Sequence, residues 1–338
     1  MKKNILYLSI LLSISVLVYF VIFKNPNSTF GVNDNEFAYE DTAAIHKIFI
    51  SDVNGTHLTY IRNASNWTMQ ENGLPVRRDV IDIMLRTIKN FSVRYPVAQS
   101  ALESSIKDIA SNNKKVELYN EAGKKVRSFF IGPPSPDGKG NYMLVEKAQK
   151  PYVVWNTGFV GSLETRFSAD INEVRSRLML AIPFPSLAEI RVQYSDPTAA
   201  SFSINVQKPD SFLITNLNTH QTLPVRLINK EKVFEYFDFL KAVYCEAIIF
   251  NEDEKLKAVS TTPFCVISIR LRNGGEQQMK CYFKEITKRS KSQSDAHGTP
   301  RPYDLDRFYG TLNGSNEVYL LQDYHFGKLL QTFDYFKK

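Results

Sequence analysis

The chain has 338 residues, enough for two domains that each bury a core. Hydrophobic residues at 43% and charged residues at 23% are those of an ordinary globular protein, and the aromatic share of 12% favours strands. Three cysteines exclude a complete disulfide framework, and a net charge of +7 suits an anionic partner or a solvated basic surface.

Ile5 to Phe23 is an apolar run interrupted only by Ser9, Ser13 and Ser15. As a helix it measures roughly 28 Å, enough to cross a bilayer core. Lys2 and Lys3 precede it, so the positive-inside rule keeps the N-terminus in the cytoplasm and exports the rest. Tyr19-Phe20-Val21-Ile22-Phe23 offers no small-x-small cleavage site, so residues 1–25 are expected to remain as an uncleaved inner-membrane anchor. The polyanions within reach are then lipid head groups, lipopolysaccharide and cell-wall polymers, and nucleic acid is not an expected partner. Residues 26–40 are polar, without apolar period, and read as a linker.

A first α+β repeat is expected over residues 41–167. It opens with Asp41-Thr42-Ala43, which matches a short bacterial O-glycosylation acceptor and makes Thr42 a candidate glycan site. Strands follow at Ile45–Ser51 and Leu58–Ile61, around a turn at Asp52-Val53-Asn54-Gly55, and near Trp67. Leu74-Pro75-Val76-Arg77 precedes a helix with Asp79 as its expected N-cap, and a second helix covers Ala101–Ala110. Strands at Val116–Tyr119, Val126–Ile131, Tyr142–Val145 and Tyr152–Trp155 complete the sheet. Ile171, Val174, Leu178 and Leu180 predict a connector helix within residues 168–186, stopped by Pro183 and Pro185.

The pattern then recurs over residues 187–338. Leu223-Pro224-Val225-Arg226 repeats the earlier tetrapeptide 149 positions on, and Met84, Leu85, Ile88, Phe91 and Tyr95 meet Val233, Phe234, Phe237, Leu240 and Tyr244. Ile48 and Ile50 meet Ile190 and Val192 at an offset of 142. Glu117–Asn120 meets Arg270–Asn273, and Phe129-Phe130 meets Tyr282-Phe283, at 153. Tyr152–Trp155 meets Val318–Leu321 at 166. An offset that only grows implies insertions into loops of the second copy. The expected class is therefore α+β, with two tandem related domains, each a mainly antiparallel sheet packed against one or two helices.

The largest insertion falls between Phe283 and Tyr309. It reads as a long mobile basic loop on a sheet edge, with Lys284, Lys288, Arg289, Lys291 and Arg301 as candidate partner contacts. Asp304 and Asp306 are expected to balance Arg301 and Arg307. Asp137 and Lys139, on the Gly132–Gly140 loop, are further contact candidates. That loop has five residues between Gly132 and Gly138, three of them proline, and Gly140 after the lysine, so it does not make a phosphate loop. Cys265 and Cys281 flank a turn at Asn273-Gly274-Gly275, either as a disulfide or as buried free thiols. Trp67 and Trp155 lie on strands, for packing or for glycan stacking. No nucleophile elbow, zinc helix or Cys–His spacing is present, so no catalytic, cofactor-binding or metal-binding residue is predicted.

Asp41-Thr42-Ala43-Ala44-Ile45, Trp67 before Leu74-Pro75-Val76-Arg77, Ile131-Gly132-Pro133-Pro134 leading to Gly140-Asn141-Tyr142-Met143, Pro151–Val154 and Gly158–Gly161 share a recognisable arrangement. It resembles the bacterial envelope family catalogued as domain of unknown function 4340, well over residues 41–167 and loosely thereafter. The resemblance implies an envelope address and no assigned activity. Some of its members accompany ABC-type transport systems linked to gliding motility. The expected function is a membrane-anchored, periplasm-facing, non-enzymatic binding or assembly module. The alternatives are an auxiliary subunit of such a transporter and an enzyme acting on an envelope polymer.

Overall fold

The computed structural model describes residues 35–64, 66–288, 290–291, 293–294 and 297–338. The expected anchor and most of the expected linker lie outside the described residues. Among those described, no helix is long and apolar enough to cross a membrane. The chain divides into two compact units, meeting at Ser176 and Arg177.

The first unit runs β1 (Ile45–Asp52), β2 (His57–Asn63), β3 (Asn66–Met69), α1 (Arg78–Lys89), β4 (Phe91–Pro96), α2 (Leu102–Ser111), β5 (Lys114–Asn120), β6 (Lys125–Pro134), β7 (Asn141–Val145) and β8 (Tyr152–Asn156). Its strands form one eight-stranded antiparallel sheet in the order β3-β2-β1-β5-β6-β7-β8-β4. A single helical turn, α3 (Ile171–Val174), ends the unit.

The second unit runs β9 (Leu178–Leu180), β10 (Leu187–Tyr194), β11 (Phe202–Lys208), β12 (Ser211–Asn216), α4 (Lys230–Phe239), β13 (Val243–Tyr244), β14 (Ala247–Ile249) and α5 (Glu252–Ala258). It continues through β15 (Cys265–Leu271), β16 (Glu276–Phe283), β17 (Arg307–Leu312), β18 (Val318–Gln322) and α6 (Asp323–Phe326). Its eight-stranded sheet has the order β12-β11-β10-β15-β16-β17-β18-β14, while β9 and β13 pair separately. Counted from each unit's first sheet strand, the two orders are the same. Both first strands also carry an irregularity at the same place, between Ile45 and Lys47 and between Leu187 and Glu189. A bulge at one matched register is a finer coincidence than shared composition.

Alternation explains the layers. Ile48, Ile50, Leu58, Tyr60, Val116, Leu118, Phe129 and Ile131 point inward and are fully buried beneath α1, whose Met84 and Ile88 close the core. Ile190, Val192, Phe202, Ile204, Ile267, Ile269 and Met279 do the same beneath Val233 and Phe237 of α4. The opposite sheet faces are polar. In the first unit Lys115 and Lys125 each bridge Glu117 and Glu146, at 2.6–3.2 Å. The second has Glu189 against Arg270 at 2.9 Å.

The repeated tetrapeptide lies along the sheet edge. Val76 donates to Trp67 O at 2.9 Å, and Leu223 donates to Ile214 O at 2.8 Å, so each segment covers an edge strand that would otherwise present unpaired backbone. Beyond that the copies differ: Val76 is buried and Val225 is 73% exposed.

Several expectations are corrected. No connector helix spans 168–186: α-helix is confined to Ile171–Val174, whose Val174 belongs to the first core, Leu178–Leu180 is a strand paired with Val243 and Tyr244, and Phe184–Ser186 is a 3-10 turn. Phe37, assigned to the linker, is 1% exposed and joins the same core, so the first unit begins before residue 41. Arg77, not Asp79, is the N-cap of α1, and Asp79 instead pairs with Arg77 from the first turn. Pairing shifts the expected matches too. Leu118 and Ile269 both oppose the equivalent Ile48 and Ile190, an offset of 151, and Ile131 and Cys281 correspond at 150. The offset therefore does not only grow: it falls from 152 at Tyr95 and Ala247 to 151 and then 150 before the long insertion raises it.

Candidate binding surfaces

The insertion between β16 and β17 joins two interior strands, so it stands at the end of the sheet and not on its edge. Its described residues fold back on themselves. Asp304 N donates to Lys284 O at 2.8 Å, Arg301 N to Gln293 O at 3.0 Å, and Ser294 pairs with Pro300. The pin is the Asp304 side chain, 2% exposed, which accepts from Ser290 Oγ at 2.7 Å and meets Lys284 Nζ at 3.4 Å. Burial works to raise the Asp304 carboxyl, but hydrogen bonds from Ser290 and Asp306 N and the Lys284 charge outweigh it and hold it below the usual range. The expected mobile loop is thus a tethered lobe.

This geometry sorts the candidate contacts. Lys284 is buried and is spent on Asp304, so it is no surface contact. Lys288 and Lys291 are exposed, Arg301 is half-buried with Nε on Ser294 O at 3.2 Å, and Arg289 lies outside the described residues. The acidic partners also differ from expectation. Arg307 forms a two-pronged pair with Glu246, at 2.8 and 3.0 Å, and Asp304 serves Lys284. At the base of the lobe Phe264, Phe283 and Tyr303 stack in sequence, with centroids 4.4 and 4.1 Å apart. Phe283 and Tyr303 remain about two-fifths exposed, and Leu305 is 53% exposed.

On the Gly132–Gly140 loop, Asp137 accepts from Tyr95, from Ser135 Oγ at 2.6 Å and from Lys139 N at 3.1 Å. Lys139 Nζ stands 3.6 Å from the same carboxylate. These charges chiefly hold the loop to edge strand β4. Thr42 is half-exposed in a 3-10 turn whose Asp41 caps Ala44 N at 3.2 Å. Trp67 is 8% exposed under the Arg62 guanidinium, and half-buried Trp155 carries Arg94 at 4.1 Å, so each indole has a cationic cover. Cys265 and Cys281 do face each other across the β15–β16 hairpin, as free buried thiols. Leu271 N bonding to Gly275 O fixes the rung type, and counting in twos places the cysteines on the wider, hydrogen-bonded class of rung, with Cα atoms about 5.5 Å apart.

A pocket of about 660 Å³ opens in the second unit, in the size range of small-molecule sites. Lys241 to Glu246 form one wall, and Phe326, Lys328 and Leu329 another. Sequence matching missed it because it set Tyr95 against Tyr244. Sheet register instead pairs Tyr95 with Val153 and Ala247 with Leu320, so Ala247 occupies the Tyr95 position. Up to those equivalent positions five residues (90–94) follow α1 and seven (240–246) follow α4. Phe91–Arg94 already belong to β4, whereas Val243 and Tyr244 pair with β9, and Lys241 to Glu246 build the wall. The readable signal was a lengthening of two residues between the helix and the edge strand.

Among the described residues, no group of three or more His, Cys, Asp or Glu side chains is placed to hold a metal ion. Comparison with protein-family models, curated proteins and solved structures finds no match.

Proposed function

We propose that the chain is a membrane-anchored, periplasm-facing, non-enzymatic binding or assembly module of the bacterial cell envelope. The apolar run Ile5–Phe23 supports the anchor and its orientation. The observation that carries the binding role is the tethered lobe between β16 and β17. It holds Phe283 and Tyr303 stacked and half-exposed, and it carries exposed Leu305, Lys288 and Lys291 on the same segment of chain. Aromatic side chains fixed before association lose little freedom on binding and serve as interface anchors. The lysines give such a surface a preference for an acidic partner.

The test is photo-crosslinking in cells from a reactive side chain at Leu305, with Lys288→Glu/Lys291→Glu as the comparison. A discrete envelope-protein adduct that the double variant loses is the expected result. Equal yields from Leu305 and from exposed Val53 would remove the lobe from consideration. Repeating the capture with the anchor replaced by a cleavable signal separates two forms of the proposal. Retained capture fits a binding module, and lost capture fits a transporter subunit whose anchor packs against a permease.

A further inference from the structure

We propose that the pocket walled by residues 241–246 binds an amphipathic organic anion, a carboxylate or phosphate monoester on an apolar body. This does not depend on the lobe, which shares none of the lining residues. Three observations converge. The first is that the wall departs from the repeat: in the first unit Phe91–Arg94 belong to edge strand β4, whereas in the second Val243 and Tyr244 pair with β9 outside the main sheet and Lys241 to Glu246 line the space. The pocket therefore lies where the second unit's chain leaves its sheet.

The second is the charge pattern. Two lining carboxylates are already matched, Asp238 by Lys241 and Glu246 by the two prongs of Arg307. Arg177 and Lys328 also line the space, and neither meets a carboxylate among the described residues. Lys328 Nζ sits 4.7 Å from the Phe239 ring, which places an ammonium against the pocket wall. Two cations beside otherwise balanced charges favour a small anion over a neutral or cationic ligand. The guanidinium suits carboxylate and phosphate oxygens alike.

The third is the apolar lining. Phe239, Val243, Phe326 and Leu329 supply it, and Val243, Phe326 and Leu329 are buried. An inorganic ion would leave that wall empty, so the ligand needs an apolar body next to its charged head.

The experiment is calorimetric titration of the full-length chain in a non-ionic detergent with octanoate, octyl phosphate and octanol. Octanoate and octyl phosphate, read separately, distinguish a carboxylate source from a phosphate one. The expected result is that at least one acid binds ten-fold or more tightly than octanol. Arg177→Ala and Lys328→Ala should each weaken that acid about ten-fold and leave octanol unchanged. Ala242→Trp, which adds bulk at an exposed lining position without changing a charge, should abolish binding with an unaltered far-ultraviolet circular dichroism spectrum. Octanol binding as well as both acids, or undiminished acid binding by all three variants, would overturn the proposal.

Discussion

Asp304→Asn tests whether the lobe is held by one carboxylate. Asparagine preserves shape but removes the charge that faces Lys284, whose side chain is 11% exposed and whose ammonium also donates to Glu285 O at 3.2 Å. Breaking a buried pair by removing one partner costs about 3–5 kcal/mol. Lys284 keeps some solvent contact and a carbonyl, so about 2–4 kcal/mol is the better figure here. At about 1.4 kcal/mol per decade, this corresponds to roughly 30- to 700-fold more frequent opening of the lobe. Hydrogen exchange read by mass spectrometry on peptides covering 284–305 measures it directly, and peptides from β10 and β15 serve as the internal reference. Lys284→Met combined with Asp304→Asn should recover part of the loss, because no buried charge is left unpaired. Unchanged exchange over 284–305 in Asp304→Asn would refute the reasoning.

Glu146 is held at about 2 by its hydrogen bond from Lys125, against burial, with Lys115 adding to it. A carboxyl depressed on folding contributes stability above its unfolded value near 4.5, and that contribution is lost as pH falls through about 2. With the side chain 23% exposed, Glu146→Gln should cost about 1–2 kcal/mol at pH 7 and only a small part of that at pH 2, where the carboxyl is half protonated, as read by urea unfolding at both pH values. Gly140→Ala should destabilise the first unit and not the second, because a Cβ there would lie 2.3 Å from Val154 O. Tryptophan fluorescence reports this selectively, since both tryptophans are in that unit. Burial pushes the Cys265 thiol up to about 12 and holds Cys281 well above the usual thiol range, so both should resist iodoacetamide in the folded chain at pH 8 and react on unfolding. Rapid native alkylation would contradict their burial.

Strand identity was legible because alternation and turn residues carry it locally. Ile48, Ile50, Ile190 and Val192 point inward as their spacing implied, and Asp52 closes its turn onto Asn54 N and Thr56 N. Residue-by-residue equivalence was less legible. Short apolar stretches match equally well two positions apart, and only sheet pairing decides between Leu271 and Ile269 as the counterpart of Leu118. The connector failed for a related reason: Ile171, Val174 and Leu178 have helical spacing, but Leu178–Leu180 gains backbone partners from Val243 and Tyr244, which lie far along the chain. The lobe's lysines looked equivalent in sequence. Lys284 differs from Lys288 only through Asp304, a partner 20 residues away that composition cannot assign.

The central claim is that the second unit repeats the first and carries its binding surface on an added lobe. Replacing residues 284–306 by the six-residue loop 135–140, which joins the equivalent strands β6 and β7, tests both parts at once. The account predicts an intact second sheet, shown by unchanged hydrogen-exchange protection in β10 and β15, together with loss of the envelope adduct, captured from a crosslinker at Phe283. An unfolded second sheet, or undiminished capture, would contradict it.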